Sequence, residues 1–377
     1  MYQTLRSLDA FVSLKEPWTR LVDTSYHNTI FYKHEWFESW LKAYRGSYKL
    51  FVVISQKDRQ LQSAMPLLKS RGQLYGLPIR RISFIGNSEV PHCGPIIDRS
   101  LDFSTETRSL LKYVTATERD WDVLWLQKMV HNKQMVEPMV AYFRDQGYPA
   151  LSRVVQYSPV LRIMTDWESY YTGKSQRFKK KIRNDRNRLK KQGEISVDKL
   201  TTPTSIQERM EDVFMVGHRS WKEVVNNAIG SSVRNRIFFK GLPEMIASER
   251  DGVILWTLSL DNKMIAFEYH IQENETLYAL RGEFDEDYRA YSPGAVLDSE
   301  IVKHLFSNGI KEYNMCGDSS PYKLRWTADT QAHQYVIVFN RTVYGRMLSL
   351  IEFYGKPFFK ALLRKRRLDS PEGKGKQ

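Results

Sequence analysis

The chain has 377 residues, of which 42% are hydrophobic, and it carries a formal net charge of +14. This length suits two domains of about 150 to 200 residues each, and the composition excludes a disordered or collagen-like chain. There is no apolar run of membrane-spanning length, no signal-peptide core, and the cysteines Cys93 and Cys316 are far apart. We therefore expect a cytoplasmic globular protein, with neither a disulfide framework nor a metal site, that is attracted to polyanions.

The first part of the chain predicts alternating helices and strands. KHEWFESWLKAY has apolar residues at helical spacing, and YKLFVVISQKDRQLQSAMPLL predicts two strands joined by a polar turn. RRISFIG and WDVLWLQKM predict two further strands, with helices predicted around them. This order is typical of a mixed α/β layer.

The same order returns after residue 160, which indicates an internal duplication. Helical segments precede the predicted strands GVILWTLSL, MIAFEYHIQ and TLYALRGEF, and a helix and two more strands follow. We predict an N-terminal domain over residues 1–160 and a C-terminal domain over residues 161–345. Residues 346–377 are predicted to form a basic C-terminal helix and tail, which could make peripheral contact with a membrane.

The start of the helix YSPGAVLDSEIVKHLFSNG is the clearest local signal in the sequence. Ser292 can cap the helix, Pro293 suits the first helical position, and Gly294 follows in the first turn. Free amides at such a helix start can hold a phosphate, because the helix dipole favours negative charge there. The alternative is a well-capped helix start without a ligand.

Three ionisable residues on the two strands before this helix are candidates for a general base. Period-two alternation places Glu268 and His270 on one face of MIAFEYHIQ, and Glu283 shares a face with Arg281 on the next strand. Any of the three could remove a proton from a nucleophile. The alternative is a structural salt bridge between Arg281 and Glu268 or a neighbour of Glu268.

The segment from Arg289 to Gly294 resembles the R/Q-x-x-G-x-G/A pyrophosphate loop of the GNAT superfamily, with Ser292 in place of the first glycine. Over residues 30–340 the larger pattern, including GEFDEDYRAYSPGAVL and GIKEYNMCGDSSPYKLRW, resembles the CelD-like acetyltransferases of cellulose and exopolysaccharide synthesis. Fem aminoacyltransferases are more distant relatives of that family. The resemblance implies two tandem GNAT-like domains, each a mixed, mostly antiparallel sheet flanked by helices.

The same resemblance implies an acyltransferase that uses acetyl-CoA or another acyl-CoA and needs no metal or covalent enzyme intermediate. Its cofactor-binding residues would be Arg289, Ser292, Gly294, Ala295 and Val296. The acceptor would be an amine or hydroxyl of a sugar-nucleotide or polysaccharide precursor, with the oxyanion met by a backbone N–H near Gly282. Two alternatives are a Fem-like transferase dependent on aminoacyl-tRNA and a non-catalytic polysaccharide-machinery or RNA-associated binding protein.

The basic run TGKSQRFKKKIRNDRNRLKKQG predicts a helix with an apolar seam of Phe178, Ile182 and Leu189. A solvated charged face is the simplest interpretation, and membrane or nucleic-acid binding are others. The resemblance to the CelD-like family implies that such residues, with two from the PYKLRW signature, hold an anionic small-molecule or glycan-precursor acceptor. These predicted substrate-binding residues are Lys174, Arg177, Arg183, Tyr322 and Lys323.

Overall fold

A computed structural model describes residues 1–86, 90–131, 133–248 and 251–355. Its strands are β1 (Tyr2–Leu5), β2 (Lys49–Lys57), β3 (Gln60–Leu74), β4 (Leu77–Phe84), β5 (Ile96–Ile97), β6 (Val123–Val130), β7 (Ala150–Arg162), β8 (Ile195–Leu200), β9 (Asp251–Leu260), β10 (Lys263–Glu273), β11 (Thr276–Phe284), β12 (Glu312–Asn314) and β13 (Thr330–Phe339).

Helices cover both ends and the faces of this sheet. The α-helices are α1 (Leu8–Val12), α2 (Lys15–Thr24), α3 (His34–Ala43), α4 (Phe103–Thr117), α5 (Lys133–Asp145), α6 (Trp167–Thr172), α7 (Gln176–Lys190), α8 (Pro203–His218), α9 (Trp221–Val224), α10 (Val233–Met245), α11 (Pro293–Leu305) and α12 (Val343–Leu350). Within the described ranges, none of these helices has both the length and the apolar content needed to span a membrane.

The strands join into one continuous sheet in the order β1-β2-β3-β4-β6-β13-β7-β12-β11-β10-β9-β8, with β5 beside β3. We call the strands from β1 to β7 in this order the first half of the sheet, and those from β12 to β8 the second half. Most neighbouring strands are antiparallel, but β4 and β6 are parallel, and so are β11 and β12. The fold class predicted from the sequence, two tandem GNAT-like units of mixed, mostly antiparallel sheet and helices, is confirmed.

The two parallel pairs reveal the duplication predicted from the sequence. In the first half, α4 connects β4 to β6, and in the second half α11 connects β11 to β12. A helical crossover of this kind is what a parallel strand pair requires. The two helices and the strand pairs around them are therefore structural counterparts.

The long strand β7 joins the two halves of the sheet, a role that the sequence patterns did not predict. Its residues from Ala150 to Pro159 pair with β13, and those from Val160 to Arg162 pair with β12. The final strand β13 returns to the first half, where it lies between β6 and β7. Beyond α12 the structure describes one turn of π-helix, Ile351–Gly355, so most of the predicted basic tail lies outside the described residues.

Candidate functional site

The parallel strands β11 and β12 separate soon after they pair. Their register runs from Thr276 opposite Glu312 to Tyr278 opposite Asn314, and no later pair follows among the described residues. A cavity of about 410 Å³ opens where the strands diverge. Its walls include residues 279–282 of β11 on one side and residues 315–317, after β12, on the other.

A β-bulge in β11 shapes the wall of this cavity. His270 of β10 lies opposite Ala279 and Tyr269 lies opposite Arg281, so Leu280 is the extra residue. Past the bulge, Gly282 lies opposite Glu268, and its carbonyl accepts a hydrogen bond of 2.7 Å from Lys222 Nζ. Because Lys222 itself lines the cavity, the backbone of Gly282 faces the cavity rather than β10.

Glycine at position 282 makes room for the carboxylate of Glu268. A Cβ atom built on Gly282 would lie 1.9 Å from Glu268 Oε1, which is an impossible contact. Without that atom, the Glu268 side chain lies across β11 and reaches the cavity. The register also excludes the direct cross-strand placement of Glu268 opposite Arg281 that the sequence allowed.

Three carboxylates line the cavity, and two of them are Glu268 on β10 and Asp298 on α11. Burial raises the pKa of Glu268 to about 7, although the positive charges of Lys222 and Lys323 oppose the shift. Burial also raises the pKa of Asp298 well above its ordinary value, and the nearby charge of Glu268 adds to that effect. Both carboxyl groups therefore bind a proton more tightly than they would in water, and Glu268 is poised to exchange one near neutral pH.

His270 lies behind Glu268 and is fully buried. Its Nε2 atom is 3.4 Å from Glu268 Oε2 and 3.5 Å from the Tyr313 hydroxyl. Burial lowers the pKa of His270 to about 3, so the ring is neutral at physiological pH. Among the described residues lining the cavity, Tyr313 is present and His270 is not, so His270 contacts the candidate base rather than the cavity.

Glu283 lies within the protein, bound to the segment after α8. Its carboxylate accepts hydrogen bonds from the Ile229 amide at 3.0 and 3.3 Å, and Lys222 Nζ is 3.8 Å away. A Cβ on Gly217 of α8 would come within 2.9 Å of Glu283 Oε2. The described lining of the cavity does not include Glu283, and its contacts are those of a structural anchor.

Two predicted substrate-binding residues, Tyr322 and Lys323, do line the cavity. Lys323 Nζ donates to the carbonyls of Met315 and Cys316 at 2.7 and 2.8 Å, which fixes the cation at the end of β12. Tyr322 is 46% exposed at the rim. The PYKLRW segment therefore contributes to the cavity wall as well as to the packing of Trp326, which is buried.

Helix α11 starts in a different way from the capped start that the sequence predicted. Ser292 has a left-handed backbone, with φ 53° and ψ 53°, and its side chain makes no capping hydrogen bond, so the predicted cap is wrong. This conformation explains why glycine is usual at the position in the motif that Arg289–Gly294 resembles. The first-turn amides of Gly294 and Ala295 have no carbonyl four residues earlier within the helix to accept their hydrogen bonds.

The helix face of α11 that includes Gly294 contributes residues to the wall of the cavity. Asp298 and Val302, four and eight residues after Gly294, lie on the same face of the helix, and both line the cavity. A Cβ at Gly294 would meet only Phe284, at 3.5 Å, so the helix start is partly open. The helix whose backbone is predicted to bind a pyrophosphate therefore also contributes side chains to the cavity that Glu268 lines.

The remaining predicted cofactor-binding residues lie around this helix start. Arg289 is in a short 3₁₀ helix, Glu286–Tyr291, where its exposed guanidinium is 3.2 Å from Glu286. Val296 is buried, and its amide bonds to the Ser292 carbonyl at 3.1 Å, so only its backbone belongs to the helix start.

The basic helix forms as predicted, but its residues have different surroundings. Ser175 caps α7 by accepting from the Phe178 amide. Lys174 Nζ donates to the carbonyls of Arg325 and Trp326 at 3.2 and 2.6 Å, which ties α7 to the wall of the cavity. Arg177 and Arg183 are exposed on the surface and are not among the described residues that line the cavity.

Three cavity residues that the sequence patterns did not reveal are Asp298, Lys222 and Lys128. The spacing of four from Gly294 could have identified Asp298. Lys128 comes from β6 in the other half of the sheet, which no local pattern reveals. Among the described residues, no group of three or more His, Cys, Asp or Glu side chains could hold a metal ion.

The family model for an acetyltransferase (GNAT) domain matches residues 176–324 of this chain. The matched segment runs from the start of α7 into the PYKLRW segment and includes every described cavity residue after Gln156 except Trp326. No curated protein matches the sequence.

Solved structures with the same fold cover most of this chain at low sequence identity. FemX is 10% identical, with a TM-score of 0.55 over 92% of this chain and 100% of its own. A conserved protein of unknown function from Bacteroides thetaiotaomicron is 14% identical, with a TM-score of 0.54 over 90% and 100% of the two chains. A tandem GNAT protein from the clavulanic acid biosynthesis pathway is 9% identical, with a TM-score of 0.51 over 89% and 97%.

Proposed function

We propose that this acyltransferase of GNAT type moves an acyl group, in the first instance acetyl, from acyl-CoA to an amine or hydroxyl acceptor. The observation that carries the proposal is the surface of α11, whose start at Gly294 is partly open and which contributes Asp298 and Val302 to the cavity that Glu268 also lines. Such a surface suits a donor with an anionic portion at one end and a reactive thioester at the other.

The donor would bind with its pyrophosphate at the start of α11. The amides of Gly294 and Ala295 and the loop from Arg289 to Ser292 are the groups available there, whereas the Val296 amide is bonded to the Ser292 carbonyl. The helix dipole adds to the attraction, and the left-handed Ser292 turns the chain so that the first-turn amides face outward. These features support acyl-CoA as the donor.

The acceptor nitrogen or oxygen would attack the thioester carbonyl carbon directly. The new bond forms as the carbon–sulfur bond breaks, and the thiolate of CoA leaves and takes up a proton. Glu268 accepts the proton that the acceptor loses, because its pKa of about 7 lets it gain and release a proton at neutral pH. The backbone N–H of Gly282, a residue of the cavity wall, would be a donor for the oxyanion.

The resemblance to the CelD-like family adds a class of acceptor to this proposal. On that basis, we propose a sugar-nucleotide or polysaccharide precursor and a role in exopolysaccharide biosynthesis in the cytoplasm. The lysines and tyrosines of the cavity wall, among them Tyr322 and Lys323, suit a polar acceptor of this kind.

The donor assignment can be tested by thermal unfolding with acetyl-CoA. A saturating ligand at about 100 times its Kd stabilises the folded state by about 2.7 kcal/mol, which raises Tm. Gly294→Glu places a carboxylate where the pyrophosphate would lie and should abolish the shift. Gly309→Glu, beyond the end of α11, is a control for added negative charge. Wild-type protein that shows no shift with any acyl-CoA would contradict the proposal.

A second candidate donor is aminoacyl-tRNA, which the exposed basic face of α7 favours. Arg177, Lys180 and Arg183 are exposed on this face, and a polyanion could bind there. Charged tRNA should then bind with steep salt dependence, and the triple substitution of these residues by Gln should flatten it. Binding that is absent or insensitive to salt would remove this candidate.

A further inference from the structure

We infer that the acceptor is a zwitterionic amine, whose acidic group is held by Lys128 and Gln156 from the first half of the sheet. The inference rests on the proposed acyl transfer and adds to it the charge of the acceptor and the residues that recognise it. Lys128, Gln156 and Pro91 line the cavity opposite the matched GNAT segment.

Lys128 has a backbone conformation that a lysine rarely adopts in a strand. Its φ is 58°, in the left-handed region, and it lies where the register between β6 and β13 shifts by one residue. Most other non-glycine residues of positive φ in the described chain lie in turns between strands, for example Asp58, Asp261 and Asn274. Bulges near active sites re-aim side chains, and strain of this kind is kept where function needs it.

The ammonium group of Lys128 is held in place but keeps donors for a ligand. Its one hydrogen bond goes to Gln156 Oε1 at 3.2 Å, and among the described residues no carboxylate oxygen lies within 4.0 Å. Gln156 in turn donates to Ser158 at 3.0 Å, and Ser158 donates to the Gly317 carbonyl at 2.8 Å. The chain from Lys128 to Gly317 therefore presents a fixed cation with unused hydrogen-bond donors.

The other cations of the cavity are already engaged by the protein. Lys222 binds the Gly282 carbonyl and lies near Glu283, and Lys323 binds two carbonyls of its own segment. Arg281 binds the Asn227 carbonyl at 3.0 Å. Lys128 is thus the cavity cation with the largest unused capacity to bind an anion.

The carboxylates of the cavity come from the other half of the sheet, whose own cations are bound to carbonyls of the protein. Glu268 and Asp298 belong to β10 and α11, whereas Lys128 and Gln156 belong to β6 and β7. Asp318, the third carboxylate of the lining, is exposed. An acceptor with an amine toward Glu268 and a carboxylate or phosphate toward Lys128 would match both sides, because each charged group would meet the opposite charge.

The proposal can be tested with three small acceptors and acetyl-CoA. Ethanolamine carries no acidic group, β-alanine carries a carboxylate, and O-phosphoethanolamine carries a phosphate. Wild-type protein should show a kcat/KM at least tenfold higher for one of the acidic amines than for ethanolamine. Lys128→Gln should bring this ratio close to one, and Lys128→Arg should retain most of it.

Matched variants separate recognition from folding. Lys112→Gln removes an exposed lysine of the same half of the sheet, on α4, and should leave the ratio unchanged. Lys128→Asn also removes the charge, but asparagine tolerates positive φ, so its Tm should equal or exceed that of the wild type. A ratio in Lys128→Gln that equals the wild-type ratio would overturn the inference.

A binding measurement distinguishes this inference from the proposed function. The rise in Tm caused by O-phosphoethanolamine or β-alanine should exceed that caused by ethanolamine, and it should disappear in Lys128→Gln but not in Lys112→Gln. If this pattern is seen but no acetyl transfer occurs, the result supports the acceptor site and contradicts the proposed acyl-CoA reaction. If acetyl transfer to ethanolamine and to both acidic amines occurs at equal rates, the result supports the transferase function and contradicts the zwitterionic acceptor.

Discussion

A helix connects the strands in both parallel pairs of this protein, but the space beside the strands is occupied differently in the two pairs. In the second half of the sheet, the separation of β11 from β12 leaves a cavity of about 410 Å³. In the first half, the chain itself occupies the corresponding position beside β6. Residues 90–94 are buried there, and the Cys93 amide donates to the Lys128 carbonyl at 3.0 Å.

The crossover helices differ in the same way. Asp102 caps α4 by accepting from the Thr105 amide at 2.8 Å, so a carboxylate of the protein already lies at that helix start. Ser292 gives α11 no side-chain cap. In the first unit, a carboxylate of the protein lies at the helix start and residues 90–94 fill the space beside the strands. In the second unit, the helix start has no side-chain cap and the space beside the strands is a cavity. We call the first the filled unit and the second the open unit. This difference supports the proposal that the open unit binds the donor and that the filled unit forms a wall for the acceptor.

The comparison between the two units would be contradicted most directly if acyl transfer did not require the Glu268 carboxylate. Glu268→Gln removes the candidate base and should lower kcat by about 100- to 10,000-fold, because that is the range for loss of a general base. Steady-state release of CoA thiol measures the effect. Glu275→Gln, at an exposed turn between β10 and β11, is the matched control and should retain wild-type activity.

Giving α11 the capping carboxylate of α4 would sharpen the comparison. Ser292→Asp should place a negative charge at the open helix start and weaken acetyl-CoA binding at least tenfold, because like charges repel there. Aspartate tolerates the left-handed backbone of residue 292, so the variant should remain folded. Isothermal titration with acetyl-CoA gives the affinity, and an unchanged Kd would count against an anion site at Ser292.

The pH dependence should report the buried carboxylate of the open cleft. Since the pKa of Glu268 is raised to about 7, kcat/KM should fall about tenfold for each pH unit below 7 as the base becomes protonated. The same shift has the opposite consequence for stability. The folded state binds the proton of Glu268 more tightly than the unfolded state does. The contribution of Glu268 to the free energy of unfolding is therefore fully present below its ordinary pKa of 4.5 and is lost as pH rises through 7.

Both parts of this pH prediction have a control in the same variant. In Glu268→Gln, the residual kcat/KM should no longer decrease as pH falls below 7. The same variant should show a smaller decline of Tm between pH 4.5 and 7. Asp298 also has a raised pKa and contributes with the same sign, so part of the decline should remain. A wild-type profile that is flat from pH 5 to 8 would contradict the role of Glu268.

The smallest effect is expected in the filled unit. Asp102→Ala removes the cap of α4 and should lower Tm by about 2 to 4 °C, because the loss of one helix cap in a domain of this size has that effect. Acetyl-CoA should still raise Tm by the wild-type amount. A loss of donor binding in this variant would show that the first unit takes part in binding the donor.

Local sequence patterns predicted much of the fold and part of the site. The hairpins β2–β3 and β10–β11, the helical form of the basic run and the start of α11 at Pro293 were predicted, because each depends on spacing within one segment. Glu268, Tyr322 and Lys323 were candidates for the same reason, and all three line the cavity.

What the sequence did not reveal depends on distant parts of the chain. Lys128 comes from β6, which only β13 and β7 separate from the second half of the sheet, and this order joins segments more than a hundred residues apart. The role of Gly282 follows from a register with β10 that a bulge shifts, and period-two alternation cannot foresee a bulge. The left-handed Ser292 was predicted as an ordinary cap, because composition gives no information on backbone angles at a single residue.

The position of β13 has a consequence for how the protein is made. Strands β6 and β7 leave the ribosome more than a hundred residues before β13, which pairs with both of them. Until then, β6 has one unpaired edge, and β7 has two until β12 is made shortly before β13. Exposed edges favour association with other chains. Synthesis of the N-terminal portion alone therefore yields an incomplete sheet, and the wall of the acceptor site is finished only when the last strand arrives.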